Sequence, residues 1–181
     1  MNDGTGIVTG GTPGVHVARV LPTRADLTVN EVDAILEAAY LATAADGELT
    51  HEELEAFREV ASALRHIAAG GGAARKPIGD KDLSLLFERF AVRSEHAERV
   101  QRVSAVRDRL GRTEVRELAY KVAFAMSLCD LDANEDEAAY DDELVEAFGL
   151  DGERADALAA EVYAALDCDL DRDSEAPPRG P

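Results

Sequence analysis

From Thr28 onward the apolar positions recur every three or four residues, the period of a helix with one buried face. Val32, Ile35, Leu36, Ala39, Tyr40 and Thr43 predict a first helix reaching Ala45, capped by Thr28 with Glu31 completing a capping box. A second helix, carrying Leu54, Phe57, Val60, Ala61 and Leu64, opens on the matching Thr50/Glu53 pair and stops at Gly70-Gly71-Gly72. Asp80 caps a short third helix with Leu83, Leu86, Phe87 and Phe90. Ser94 starts a fourth, with Val100, Val103, Val106 and Leu110 inward, its arginines outward and Gly111 at its end. Thr113 opens a fifth, whose Leu118, Val122, Ala125, Met126 and Cys129 form a buried stripe. A sixth carries Tyr140, Leu144, Val145 and Phe148 before Gly149 at C′, and a seventh runs from about Gly152 to Leu166. The pattern predicts an all-α fold, a single compact domain of about seven helices.

The ends of the chain read differently. Residues 1–25 are rich in Gly, Thr and Pro and are expected to form a flexible arm, with one short extended piece near Val15 to Val20. Val8-Thr9-Gly10-Gly11-Thr12-Pro13-Gly14 resembles a glycine-rich nucleotide turn, but neither a helix nor later parallel strands follow it. The helical domain is placed at 26–168. Residues 169–181, acidic and then rich in Pro and Gly, are expected to be disordered.

Composition narrows the core and the partners. At 46% apolar the 181 residues can bury one full core, and with no Trp it must be filled by Ala, Leu and Val. A formal charge of −18 disfavours nucleic acid and anionic membrane surfaces as partners. The charge is uneven: residues 89–121 hold nine bases against five acids, residues 130–173 seventeen acids against two bases. Intramolecular pairing between these blocks is the expected consequence, ahead of a docking surface for a protein partner. No signal peptide and no membrane-spanning run is visible, so membrane insertion is not expected and a cytoplasmic location is.

Two short acidic turns stand out against this background. Asp46-Gly47-Glu48-Leu49-Thr50-His51-Glu52-Glu53 and Asp130-Leu131-Asp132-Ala133-Asn134-Glu135-Asp136-Glu137 each follow one apolar helix and open another. Each puts oxygen-bearing side chains at places one, three and five and ends in a Glu seven residues after its leading Asp. Sliding the chain by 84 residues superposes them, and Ala39 then falls on Ala123, Tyr40 on Phe124 and Leu64 on Phe148, the pattern of an internal duplication. A hard divalent cation needs several oxygens converging at about 2.0–2.6 Å, which such turns can supply. The second turn follows an EF-hand loop at Asp130, Asp132 and Asn134, then departs: Glu135 replaces the required Gly and Asp141 the bidentate Glu. Helix capping is the competing account. Thr50 with Glu53 and Asn134 with Glu137 explain four of these residues without an ion, leaving Asp46, Glu48, Asp130 and Asp132.

Catalytic patterns are not found. Glu48-x-x-His51 spans a turn and has no second copy, which a di-iron site would need. His16, His51, His66 and His96 share no spacing, and Cys129 and Cys168 lie 39 residues apart without a CxxC. No enzymatic activity is expected.

Through Ala44-Ala45-Asp46-Gly47-Glu48-Leu49 with Glu53, and Ser127-Leu128-Cys129-Asp130 with Glu137 before Phe148-Gly149-Leu150, the chain resembles the tellurite-resistance TerB-like family. The resemblance covers residues 28 to 166 and departs at Leu131, where the family pattern has Gly. It implies a non-enzymatic all-helical domain of bacterial stress-response contexts, binding Ca²⁺, Mg²⁺ or Mn²⁺. Its implied ligands are Asp46, Glu48, Glu53, Asp130, Asp132 and Glu137. The alternative expectation is a metal-free module that holds a protein partner through its Arg-rich and acidic helical faces.

Overall fold

The computed structural model describes residues 16–43, 50–71, 76–95, 98–129 and 135–167, excluding the side chains of 94, 95, 135–139 and 167. The helix nearest the middle of the molecule is α1 (Val29–Thr43). It begins where the sequence places its cap. Thr28 N–H and Oγ1 both donate to Glu31 Oε2 (2.8 and 2.9 Å), and Glu31 N–H donates back to Thr28 Oγ1 at 3.2 Å. Around it stand α2 (His51–Ala68), α3 (Asp80–Glu95), α4 (Arg99–Arg109) and α5 (Thr113–Ser127), all four in contact with α1. α6 (Glu135–Phe148) and α7 (Gly152–Asp167) complete the bundle against α5. The described residues form an all-α fold of seven α-helices and one 3-10 turn, Val17–Val20.

That turn stands where a short extended piece was expected, and it belongs to the core. Val17, Val20 and Leu27 are buried, and the turn touches α2, α5 and α7. Residues 1–15, the rest of the expected arm, lie outside the described residues, as do 168–181.

The core follows the helical period. Ile35, Leu36, Phe57, Val60, Leu64, Phe90, Tyr120, Met126, Leu144, Phe148 and Leu158 are all buried. An aromatic knot closes the α1/α2/α3 corner. Tyr40 lies 5.6 Å from Phe87 and 5.5 Å from Phe90, and Phe57 4.9 Å from Phe87, all tilted contacts that rings favour. Gly149 ends α6 at φ +68, with Leu150 N–H bonded to Val145 O at 3.0 Å and Gly149 N–H to Glu146 O at 3.1 Å. This is the Schellman closure that the sequence placed there.

Two expectations about the middle of the chain need correction. Ser94 does not start a helix. It lies inside α3, which runs four turns to Glu95, and α4 starts at Arg99. On α4 and at its end the expected Val103, Val106 and Leu110 are buried, but the face differs at two places. Val100 is 60% exposed, whereas the Arg102 side chain is only 4% exposed. The reason is a carboxylate across the bundle. Glu37 of α1, itself 4% exposed, accepts from Arg102 Nη2 at 3.0 Å, which makes burial of the guanidinium tolerable and displaces Val100 outward.

The helix order also fixes directions. Arg112, just before α5, donates to Glu31 in the first turn of α1 (Nη2–Oε1 3.0 Å), so the two helices start at the same end. Both are fifteen residues long, begin 84 residues apart, and make the most extensive helix contact in the molecule. Buried alanines on both sides (Ala34, Ala38, Ala39, Ala42; Ala119, Ala123, Ala125) suit two axes packed closely along their length. α2 and α6 likewise begin 84 residues apart. α6 runs back beside α5, since Arg116 near the start of α5 donates to Phe148 O at the end of α6 (3.3 Å). α7 then runs with α5: Arg154 binds Glu117, Lys121 binds Glu161, and Phe124 meets Tyr163 edge-on at 5.6 Å. Three helices, α1, α5 and α7, therefore point the same way.

Candidate functional site: the acid-rich end of the bundle

The parallel run of α1, α5 and α7 brings their C-terminal ends to one pole. From the end of α1 the chain goes into the first acidic turn, and from the end of α5 into the second. A helix C-terminus carries roughly half a negative charge, which a basic residue in the last turn would offset. None of the three has one. In sequence, Asp46 and Glu48 follow α1, and Asp130 and Asp132 follow α5. The N-termini of α2 and α6 open at this pole and work the other way, but Glu52 and Glu53 already occupy the first turn of α2.

Of the six expected ligands, Asp46, Glu48, Asp130 and Asp132 lie outside the described residues, and Glu137 contributes only its backbone, inside α6. Glu53 is described, and it caps. Its Oε2 accepts from Thr50 N–H at 2.7 Å and from Thr50 Oγ1 at 2.9 Å, while Glu53 N–H donates to Thr50 Oγ1 at 3.2 Å. The box uses Oε2 alone. Among the described residues no three His, Cys, Asp or Glu side chains gather into a metal-holding group.

Because Glu53 is a cap, Thr50→Ala should cost about 1 kcal/mol of stability, read as a lowered urea midpoint at unchanged m-value. A stability loss within noise would show that the box does not anchor α2.

The structure adds Asp141, which the sequence noted only as a departure from the EF-hand pattern. It lies one turn beyond Glu137 on α6 and accepts a hydrogen bond from the Tyr120 hydroxyl at 3.3 Å. Its other oxygen, Oδ1, is buried and has no hydrogen-bond partner among the described residues. Burial raises the Asp141 pKa above the ordinary value and neighbouring Asp142 raises it further, against the Tyr120 hydrogen bond. Burial likewise raises the Tyr120 pKa, with Asp141 adding to the shift, so the hydroxyl stays protonated. Burial without a positive partner is what raises a carboxyl pKa in this way. Acidic spacing alone could not reveal this, because Tyr120 lies 21 residues away on another helix.

A second cluster lies on the flank of α1, away from the pole. Arg89 and Arg93 of α3 and Arg109 of α4 all reach Asp33, and Arg93, Arg102 and Arg109 all reach Glu37. Burial pushes the Glu37 pKa up, but Arg109, Arg102 and Arg93 outweigh it, and the net shift is downward. The charge pairing expected from composition is therefore present, with a different partner. These arginines of the basic block bind α1, while Arg99–Glu143 and Lys121–Glu161 reach the acidic carboxyl-terminal third.

Comparison with family models, curated proteins and solved structures gives no match for this chain. The class that the described residues define is an all-α helical bundle. Among them no helix is long and apolar enough to cross a membrane.

Proposed function

We propose that this chain is a non-enzymatic, TerB-like helical domain of the bacterial cytoplasm that binds a divalent cation at its acid-rich end, in a stress-response setting. The observation that supports the reading is the parallel course of α1 and α5, neither of which has a basic residue in its last turn and each of which is followed in sequence by an acidic stretch. Asp46, Glu48, Asp130, Asp132 and Glu137 would supply the hard oxygen ligands, with Glu53 contributing alongside its capping role. An ion there would bind carboxylates and offset the helix-end dipoles, so its role is to order the turns.

Calorimetric titration of chelator-treated protein with Ca²⁺, Mg²⁺ and Mn²⁺ tests this. A saturable heat is expected, and Asp46→Ala combined with Asp130→Ala should abolish it at unchanged helix content. Ion at about 100 times Kd should stabilise the wild type by roughly 2.7 kcal/mol. No heat at millimolar ion would overturn the cation reading. The metal-free partner module would then gain, on the strength of Leu85, Val92, Val100 and Tyr163, which stand exposed on the helices.

A further inference from the structure

The cluster on the flank of α1 carries more positive charge than a clamp needs. Arg89, Arg93 and Arg109 all keep solvent access, with Arg89 47% and Arg93 40% exposed, and among the described residues they bind two carboxylates, Asp33 and Glu37. Arg102, buried, binds Glu37 from below. Arg109 is fully committed: Nη1 to Asp33, Nη2 to Glu37 and Nε to Ala105 O. Arg89 and Arg93 are not. Arg89 uses Nη2 alone, on Asp33, and Arg93 uses Nη1 alone, shared between Asp33 and Glu37. Their remaining N–H groups make no hydrogen bond to the described residues.

These two guanidiniums are also held in place. They stand one helical turn apart on α3, with Arg89 Cζ 5.3 Å and Arg93 Cζ 5.8 Å from the centre of the buried Phe90 ring. Two ordered forks of N–H donors on successive turns of one helix face suit one oxyanion that can serve both. A phosphate offers more oxygens and more negative charge than acetate, so it can serve both forks more strongly. Pre-ordering against the Phe90 ring lowers the entropy lost on binding. In a chain of net charge −18, a local surplus of guanidinium is unusual and attracts an anion where the rest of the surface repels it.

We infer that the solvent side of Arg89 and Arg93 is a binding site for a phosphate-class oxyanion, separate from the acid-rich end. The full chain, titrated with inorganic phosphate and with acetate at matched ionic strength, tests the site. Phosphate is expected to bind saturably and acetate not. Arg89→Gln with Arg93→Gln should weaken phosphate binding at least about tenfold, as the loss of charge-assisted hydrogen bonds requires. Asp33→Asn gives an independent reading that keeps both arginines. It frees guanidinium N–H groups, so phosphate should bind several-fold tighter even though the fold loses stability. A merely structural clamp predicts the stability loss with no gain in binding. O-phosphoserine, titrated in parallel, separates the two sources: tighter binding than inorganic phosphate points to a phosphorylated side chain, weaker binding to the free ion. Acetate binding equal to phosphate, phosphate binding unchanged in the double Gln variant, or weaker binding in Asp33→Asn would each overturn the site.

Discussion

Glu37→Ala is expected to destabilise the fold by about 3–5 kcal/mol, the usual result of removing one partner from a buried ion pair. The carboxylate is almost wholly enclosed, and it is the acceptor that Arg102 meets inside the bundle. Without it, a guanidinium only 4% exposed keeps its charge in a poor dielectric, and Arg93 and Arg109 lose one of their two acceptors. Exchanging Glu37 and Arg102 together for apolar residues of similar volume should restore most of the loss, because no lone charge then remains. Urea unfolding of the single and double variants checks both statements. A single-variant loss under 1 kcal/mol would mean that water reaches Arg102 freely.

The same group gives a pH signature. Its folded pKa lies below the ordinary carboxylate value, so the unfolded chain takes up the proton first as pH falls. The contribution of Glu37 is therefore complete above the unfolded value of about 4.3 and is lost as pH drops through the lower folded value. Glu31 and Glu117 are also shifted down. Burial opposes the shift at Glu31, where Thr28 and Arg112 prevail, whereas the Arg154 hydrogen bond drives it at Glu117. Both act in the same window. Glu37→Gln should be less stable at pH 7 and lose less on acidification than the wild type, measured as Tm between about pH 7 and 3. Parallel Tm curves would contradict the assignment.

The second large effect is expected at Phe90. Its ring is fully buried, packs 5.5 Å from Tyr40, and lies under both Arg89 and Arg93. Phe90→Ala removes that volume and leaves a cavity between α1 and α3, at a cost of about 3–5 kcal/mol. Phe90→Leu keeps more of the volume and should cost less, while it still removes the aromatic face from the guanidiniums. The pair of variants thus separates packing from the ring's hold on the arginines. Equal losses in Ala and Leu would show that the ring face, and not the volume, anchors α3.

Much of the fold was legible because its signals are local. Thr28–Glu31 and Thr50–Glu53 are three residues apart, and both close as capping boxes. Gly149 supplies the positive φ that ends α6, and the buried stripes of α2, α5 and α6 follow the 3.6-residue period. The misreadings fall where the pattern is interrupted by charge. Periodicity counts Arg102 as polar and turns it outward, yet its partner Glu37 lies 65 residues away on α1. Ser94 was read as the start of a fourth helix, while α3 simply continues through it. At the candidate site, the acidic spacing was plain in the chain, but the buried state of Asp141 depends on Tyr120 of another helix.

The sequence by itself determined most of the helices, the Thr28 and Thr50 caps and the spacing of the two acidic stretches, since each depends on residues within about two turns of each other. It left open which helices abut and in which direction they run. Only the tertiary structure decided that α1, α5 and α7 run the same way, so that their acid-rich continuations leave from one pole, and that Glu37 lies within a cage of arginines. The physical reason is range. A helix closes its hydrogen bonds four residues along the chain, but charges in a low-dielectric interior are neutralised by whatever neighbour the packing supplies, at any separation in sequence.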